Sequence, residues 1–423
     1  MISKPEITAD SVKKMINGRA VYIWGARHDG LGIHCALKRI GLKVDGFLDN
    51  NRMLEGKSIL GAPIQHPEKF FTEPTLAKEP FVFVASAYFA DEIVEECQGY
   101  GLQKGESFIT TQDLQCFNWQ IDTSGACNLR CISCARGNFP DHHPAGFMSA
   151  NVYGKVIKKI LEEDPFTGVF RIYDWGEPLL TPELPEIIEI TNDHDVLSVI
   201  SSNLCINNNL ERVIRACPTW FRVSLSGWGD NYEITHTGGK WEVLYKNMHQ
   251  LSELRSKYSP DMEVEVFFHI YKHNRSDFDK IRQLCEDLGF TPRYTHAYLF
   301  SLDSVEAVLD GKPLNAAITT TCNLMLLKVD EAMNLARKQQ ERFCFFERFL
   351  RITWDLKVTS CINWYNPKYF LIEDDFLSSS VDNLVEARNS CPLCIHCKSK
   401  SLHRYCNVYG DPKLVLSKGS ITI

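Results

Sequence analysis

The residues with the most chemistry in this chain are its cysteines, and they are clustered. Of 16 in 423 residues, three stand in Cys127-Asn-Leu-Arg-Cys131-Ile-Ser-Cys134 and three in Cys391-Pro-Leu-Cys394-Ile-His-Cys397. Three thiolates at C-x3-C-x2-C on one loop can wrap one metal centre. A tetrahedral zinc site would want a fourth ligand nearby. A [4Fe–4S] cluster held by three thiolates keeps one iron open to bind something else. C-x2-C pairs like those of the second group also build zinc ribbons. Most of the other cysteines read as small buried hydrophobes. Asp141-His142-His143, just after the first group, reads as a solvated loop rather than a metal site.

These groups need a scaffold and a compartment. Formal net charge is 46 − 53 = −7, which argues against a nucleic-acid-binding surface. A hydrophobic fraction of 44% is enough for real cores, and the length suits two to three domains. No run reaches the roughly 18–20 apolar residues that span a bilayer. Met1–Asp10 has no apolar stretch of the secretory kind. The expectation is a soluble cytoplasmic protein, in which clustered cysteines mean metal or redox chemistry rather than disulfides.

The pattern predicts three segments, 1–112, 113–305 and 306–423. In the first, strand-like Ala20–Trp24, Lys43–Leu48 and Phe81–Ala85 alternate with helical stretches, which suits a small Rossmann-like α/β domain with a parallel sheet. Gly25, Gly30 and Gly32 sit where strand turns to helix, and Asp49 ends the second strand. Their spacing is not the dinucleotide fingerprint, so tight turns and a nucleotide site both stay open. The second segment offers six strands: Trp119–Thr123, Val169–Asp174, Leu197–Asn203, Phe221–Ser226, Val264–Tyr271 and Tyr294–Phe300. Helical stretches lie between most of them, as in a partial barrel or an open parallel sheet. The third holds a helix near Asp330–Gln340, a β-like piece Phe349–Ser360 and the cysteine-rich end.

C-x3-C-x2-C on the loop after the first strand of such a core resembles the radical S-adenosylmethionine (SAM) superfamily. The resemblance implies a partial (β/α)6 barrel and a [4Fe–4S] cluster on Cys127, Cys131 and Cys134. It also implies SAM on the open iron, cleaved by one electron to methionine and a 5′-deoxyadenosyl radical. The electron would come from a donor such as flavodoxin or ferredoxin. Gly176-Glu177-Pro178, after the second strand, looks like the family's glycine–glutamate motif and would bind the methionine amino group. Ser202-Asn203 would contact the SAM ribose, and Ser224-Leu-Ser226-Gly227 looks like the family's Ser-x-Asp-Gly. Three positions depart from the pattern: Ser133 where an aromatic is common, Trp175 for the first motif glycine, and Ser226 for Asp.

The C-terminal segment looks like the small α+β auxiliary-cluster (twitch) domain that follows some radical SAM cores. The resemblance implies a second [4Fe–4S] cluster on Cys344, Cys361, Cys394 and Cys397, with Cys391–Cys394 as the alternative closing pair; zinc remains the rival. Strand alternation puts Glu265, Phe267, His269 and Tyr271 on the barrel's inner face. Arg222, Ser224, Ser226, His296 and Tyr298 are placed there by the same rule. Arg222, Glu265, His269 and Tyr298 are the candidate substrate residues.

Val21-Tyr-Ile-Trp-Gly-Ala, Asp45-Gly-Phe-Leu-Asp-Asn-Asn51 and Gly61-Ala-Pro-Ile are similar to Rossmann-like modules attached to sugar-modifying enzymes. The expected substrate is thus a small polar molecule, a carbohydrate or nucleotide sugar, dehydrogenated or epimerised. The alternative is a peptide- or protein-modifying radical enzyme.

Overall fold

The computed structural model describes residues 5, 7–72, 80–86, 89–115, 117–338, 344–366 and 371–410. Two sheets organise it. The first contains β1 Val21–Trp24, β2 Gly46–Leu48, β3 Ser58–Ile59, β4 Ala62–Gln65, β5 Phe81–Val84 and β6 Phe108–Thr110. Its order is β3-β4-β2-β1-β5-β6. Among the described residues of this sheet only the β3–β4 pair is antiparallel. The expected three strands are its centre. The short β3, β4 and β6 carry too few apolar residues to announce themselves.

The second sheet starts with β7 Asn118–Ile121, β8 Val169–Arg171, β9 Leu197–Ser202, β10 Trp220–Leu225, β11 Glu263–Ile270 and β12 Thr291–His296. These six lie side by side in chain order, the sequence of a βα-repeat core. The sixth strand runs Thr291–His296, not Tyr294–Phe300. Pro292 discourages a strand assignment, but β12 is an edge, where a missing N–H is tolerated. Tyr298 therefore lies beyond the strand. Along β11 buried and half-buried residues alternate, with Val264, Val266, Phe268 and Ile270 in the core.

Three more strands, β13 Phe349–Ile352, β14 Val358–Thr359 and β15 Leu371–Glu373, extend the sheet beyond β7. Asp122 donates its N–H to Ile352 O at 2.8 Å. The expected β-like piece at 349–360 is thus a hairpin docked on the core's first strand. A helix, Ala90–Gly99, follows β5, and the helix expected near Asp330–Gln340 runs Val329–Lys338; Gln340 lies outside the described residues. No helix among the described residues is long and apolar enough to cross a membrane.

The chain divides into two compact units: residues 1–118 with 157–170 and 191–197, and the remainder. In the first, a Cβ on Gly30 would stand 1.7 Å from Gly25 O, and one on Gly32 would stand 2.6 Å from Val169 Cγ2. These glycines permit close packing. Asp49 accepts from the N–H groups of Ala26 and Asn51 at 2.9 and 2.8 Å, so its carboxylate closes the turn after β1.

Candidate functional site

β7 ends at Ile121, and the chain then runs through Asp122 to the cysteine loop. Gly176, after β8, presses against this loop: a Cβ there would stand 1.6 Å from Ser124 O. The next residue, Glu177, donates its N–H to Ala126 O at 2.8 Å. Its buried carboxylate accepts from Ser202 Oγ at 2.7 Å, Asn203 N at 2.8 Å and Leu179 N at 3.0 Å. Asn203 then donates from Nδ2 to Asn128 Oδ1 at 2.9 Å and lies 3.8 Å from Cys127 Sγ. Glu177 thereby ties the carboxyl ends of β8 and β9 to the loop that follows β7. Burial pushes its carboxyl up to about 7, against the pull of these three hydrogen bonds.

Cys127, Cys131 and Cys134 are half-buried and within electrostatic reach of one another. Burial pushes Cys127 up to about 12 and raises the other two thiols. Cys127 Sγ accepts from Leu129 N at 3.4 Å, and Cys134 accepts from backbone N–H groups of Arg136 and Gly137. Such N–H donors stabilise cluster sulfur. The donor set of three thiols, inward amides and a close glycine fits an iron–sulfur cluster. Among the described residues no group of three or more Cys, His, Asp or Glu forms a preformed single-ion site.

Of the expected substrate residues, Arg222 lies on β10, Glu265 and His269 on β11, and Tyr298 beyond β12. Register pairs Arg222 with Glu265 and Ser224 with Phe267. One step on, Ser226 Oγ lies 3.3 Å from His269 Nδ1. His269 is pushed down to about 3 by burial, then by Arg222 and His236, so it is a neutral imidazole. Arg222 packs over the Phe267 ring at 3.7 Å, and Glu265 accepts from Arg293 Nε at 3.1 Å. Tyr298 packs 6.0 Å from His269, ring to ring, and 5.1 Å from Tyr409. His296 is buried at the end of β12. Tyr271 reaches the cluster loop through a hydrogen bond with Ser133.

A cavity of about 130 Å³ opens elsewhere, between the cluster loop and the hairpin. Asp122, Arg136, His143, Trp175, Arg351 and Trp354 are among its lining groups. Arg351, 1% exposed, forms an ion pair with Asp174 and donates from Nε to Thr359 Oγ1 at 3.2 Å. Gln120 Nε2 donates to the other Asp174 oxygen at 2.5 Å. Burial raises Asp122, and Asp174 beside it adds to the rise, while Arg351 opposes it. Asp122 is thus held toward its neutral acid.

Trp175, where the motif pattern has glycine, stacks edge-on against Tyr365 and Phe300 at 5.0 and 4.9 Å. Trp354, at the hairpin tip, lies over Gly146, where a Cβ would stand 2.2 Å from its ring. His143, read as part of a solvated loop, instead holds Tyr365 O through Nε2 at 2.8 Å, and burial pushes it down to about 4. The sequence reading missed this cavity. Its one local signal was the charge in Phe349-Leu-Arg351-Ile, an arginine in an otherwise apolar strand.

A second thiol nest gathers Cys344, Cys361, Cys391, Cys394, Cys397 and Cys406. Cys361 is within electrostatic reach of Cys391, Cys394 of both, and Cys397 and Cys406 each of Cys344 and Cys361. Both closing pairs stay in reach. Trp364, Leu393, Leu402 and Tyr405 pack around the thiols as a dry shell.

No family profile matches the chain. Over 141 residues it is 28% identical to a "Probable GTP 3′,8-cyclase" of Methanococcus maripaludis strain C5, 32% of this chain and 46% of that protein. The strain C7 protein of the same name matches equally. The chain spans about half the length of the curated relatives it matches. Among solved structures it resembles native anSMEcpe with bound AdoMet (14% identical, 69% of this chain and 88% of that one, TM-score 0.44). It also resembles BtrN in complex with AdoMet and 2-DOIA (16%, 67% and 90%, TM-score 0.40). Streptococcus suis SuiB bound to S-adenosylmethionine is similar at 12%, over 78% of each chain, with TM-score 0.44.

Proposed function

We infer that this chain is a radical SAM enzyme, and we propose that it takes a hydrogen atom from a carbohydrate or nucleotide sugar, in a dehydrogenation or epimerisation. The observation that carries the first part is the Glu177 network. Glu177 joins the C-x3-C-x2-C loop, through its backbone N–H, to the end of the third strand, through its buried carboxylate, at the carboxyl-end rim of six sequential strands. When bound, the cluster and SAM supply a 5′-deoxyadenosyl radical, and a second cluster supplies a place for an electron.

Cys127, Cys131 and Cys134 would hold the first cluster, with Gly176, Glu177, Ser202, Asn203, Ser224 and Ser226 around SAM. The second would use Cys344, Cys361 and Cys394 with Cys397 or Cys391. Trp175, Trp354 and Tyr365 give the cavity flat apolar walls against which a sugar ring can stack. Asp122, Arg136 and Arg351 supply donors and a proton-holding carboxyl for hydroxyl groups. Arg222, Glu265, His269 and Tyr298, half-buried and outside the lining of this cavity, would orient the substrate. The N-terminal sheet, as a Rossmann-like module, supports the sugar reading through the sequence similarity described above.

The test is 5′-deoxyadenosine release by anaerobically reconstituted protein with SAM and dithionite, with nucleotide sugars, GTP or peptides added in turn. Stimulation by one nucleotide sugar is expected. Stimulation by GTP alone would replace the sugar with a purine nucleotide, the substrate that the curated relatives' name carries. Stimulation by peptides alone would overturn the small-molecule reading.

A further inference from the structure

Among the described residues, Arg388 is a buried cation without a carboxylate partner. It sits in the helix Val381–Asn389 with 5% of its surface exposed. Buried guanidinium groups ordinarily pair with carboxylates, because an uncompensated charge in a low-dielectric interior is costly. Among the described residues Arg388 forms no ion pair. Glu347, whose carboxylate senses it, is taken by Lys398 at 2.7 Å. The guanidinium instead donates from Nη1 to Cys394 Sγ and from Nη2 to Phe346 O at 3.3 Å. Its Nε is buried and has no partner among the described residues. Four thiols are within electrostatic reach of it, Cys394, Cys361, Cys344 and Cys391, drawn from three separate stretches of chain.

This arrangement is a charge waiting for its counter-charge. Four neutral thiols cannot balance a guanidinium; thiolates on an anionic centre can. An iron–sulfur centre with four cysteinyl ligands is negative in both redox states, and more negative by one charge when reduced. A fixed cation in contact with its ligands therefore favours the reduced state. Arginine also keeps its charge across the whole working pH range.

We propose that Arg388 is a positioning residue that holds the C-terminal iron–sulfur centre through its cysteine sulfurs and raises that centre's reduction potential, fitting it to accept an electron. The proposal rests on the reading of the second thiol nest as an iron–sulfur site. It favours net oxidation of the substrate over epimerisation, because only oxidation leaves an electron to be taken up.

The experiment uses the full chain with Cys127, Cys131 and Cys134 all changed to Ala, so that only the C-terminal centre gives a signal. Iron, sulfide and zinc are counted first, and the centre is then titrated with EPR detection. About four irons and four sulfides per chain are expected. Zinc in their place would overturn the iron–sulfur reading itself. Arg388→Gln should make reduction at least tenfold less favourable, about 59 mV for one electron. Arg388→Lys should keep most of the wild-type potential. With iron content intact, a change smaller than twofold in Arg388→Gln overturns the proposal. If Arg388→Gln does not retain iron, Arg388→His is titrated at several pH values. A potential that climbs on acidification, as the imidazole gains charge, supports the proposal, and a flat profile overturns it.

Discussion

Gly176→Ala adds one methyl group at the tightest point of the site. Its Cβ would stand 1.6 Å from Ser124 O and 2.6 Å from Ser124 C. Non-bonded carbon and oxygen settle at about 3.5 Å, so the two segments must part by nearly 2 Å. Ser124 is three residues before Cys127, and the adjoining Glu177 N–Ala126 O bond of 2.8 Å spans the same gap. Forced overpacking costs about 1–3 kcal/mol. Losing that bond adds about 1 kcal/mol. The sum, about 2–4 kcal/mol, is a large share of the roughly 5–15 kcal/mol that holds a domain together.

The displacement falls on the cluster loop, so function should suffer more than the fold. A misplacement near 1 Å can cost about a hundredfold in rate. The assay pairs urea unfolding with iron content and 5′-deoxyadenosine release. Gly154→Ala is the control: the same methyl, in the helix Ala150–Glu163, meets nothing within 4 Å. It should be neutral or stabilising by up to about 1 kcal/mol. Gly176→Ala with wild-type iron and SAM cleavage within about tenfold of wild type would refute the reasoning.

Trp354→Ala removes a wall of the cavity, and should raise the substrate concentration for half-maximal stimulation at least about tenfold, or 1.4 kcal/mol; an unchanged value would place the substrate elsewhere. Glu177, raised from 4.5 to about 7, contributes stability that is fully present below pH 4.5 and lost as pH rises through 7. The loss amounts to about 3 kcal/mol in cluster-free protein. Glu177→Gln should flatten that dependence in urea unfolding at pH 4.5 and 7.5, and parallel profiles for the two proteins would contradict the assignment. Cys361→Ala should remove about four irons per chain while the centre on Cys127, Cys131 and Cys134 stays; unchanged iron would exclude Cys361 as a ligand.

What could be read from the sequence was local. Cys127, Cys131, Cys134, Gly176 and Glu177 announce themselves by spacing and by their place after strands. The alternation along Glu263–Ile270 is visible in the residue types, because a half-buried strand shows its two faces. What could not be read was long-range. Nothing near Phe349–Ile352 says that this strand docks beside Asp122, some 230 residues earlier. The cavity follows from that pairing, so Arg351, Trp354 and Asp122 remained invisible as a group. Pro292 hid the start of β12, because a proline is admissible there only if the strand is an edge, and edge status belongs to the whole sheet. Arg388 stood among ordinary helix residues, and only the fold turns it toward four thiols.

The central claim is the radical chemistry of the Cys127–Cys134 loop, and the most direct measurement is anaerobic 5′-deoxyadenosine formation from SAM by reconstituted protein beside its Cys131→Ala variant. Formation by the wild type that requires reductant, and none by the variant, is the predicted result. Iron-loaded wild type that forms no 5′-deoxyadenosine and cannot be told from Cys131→Ala would contradict it.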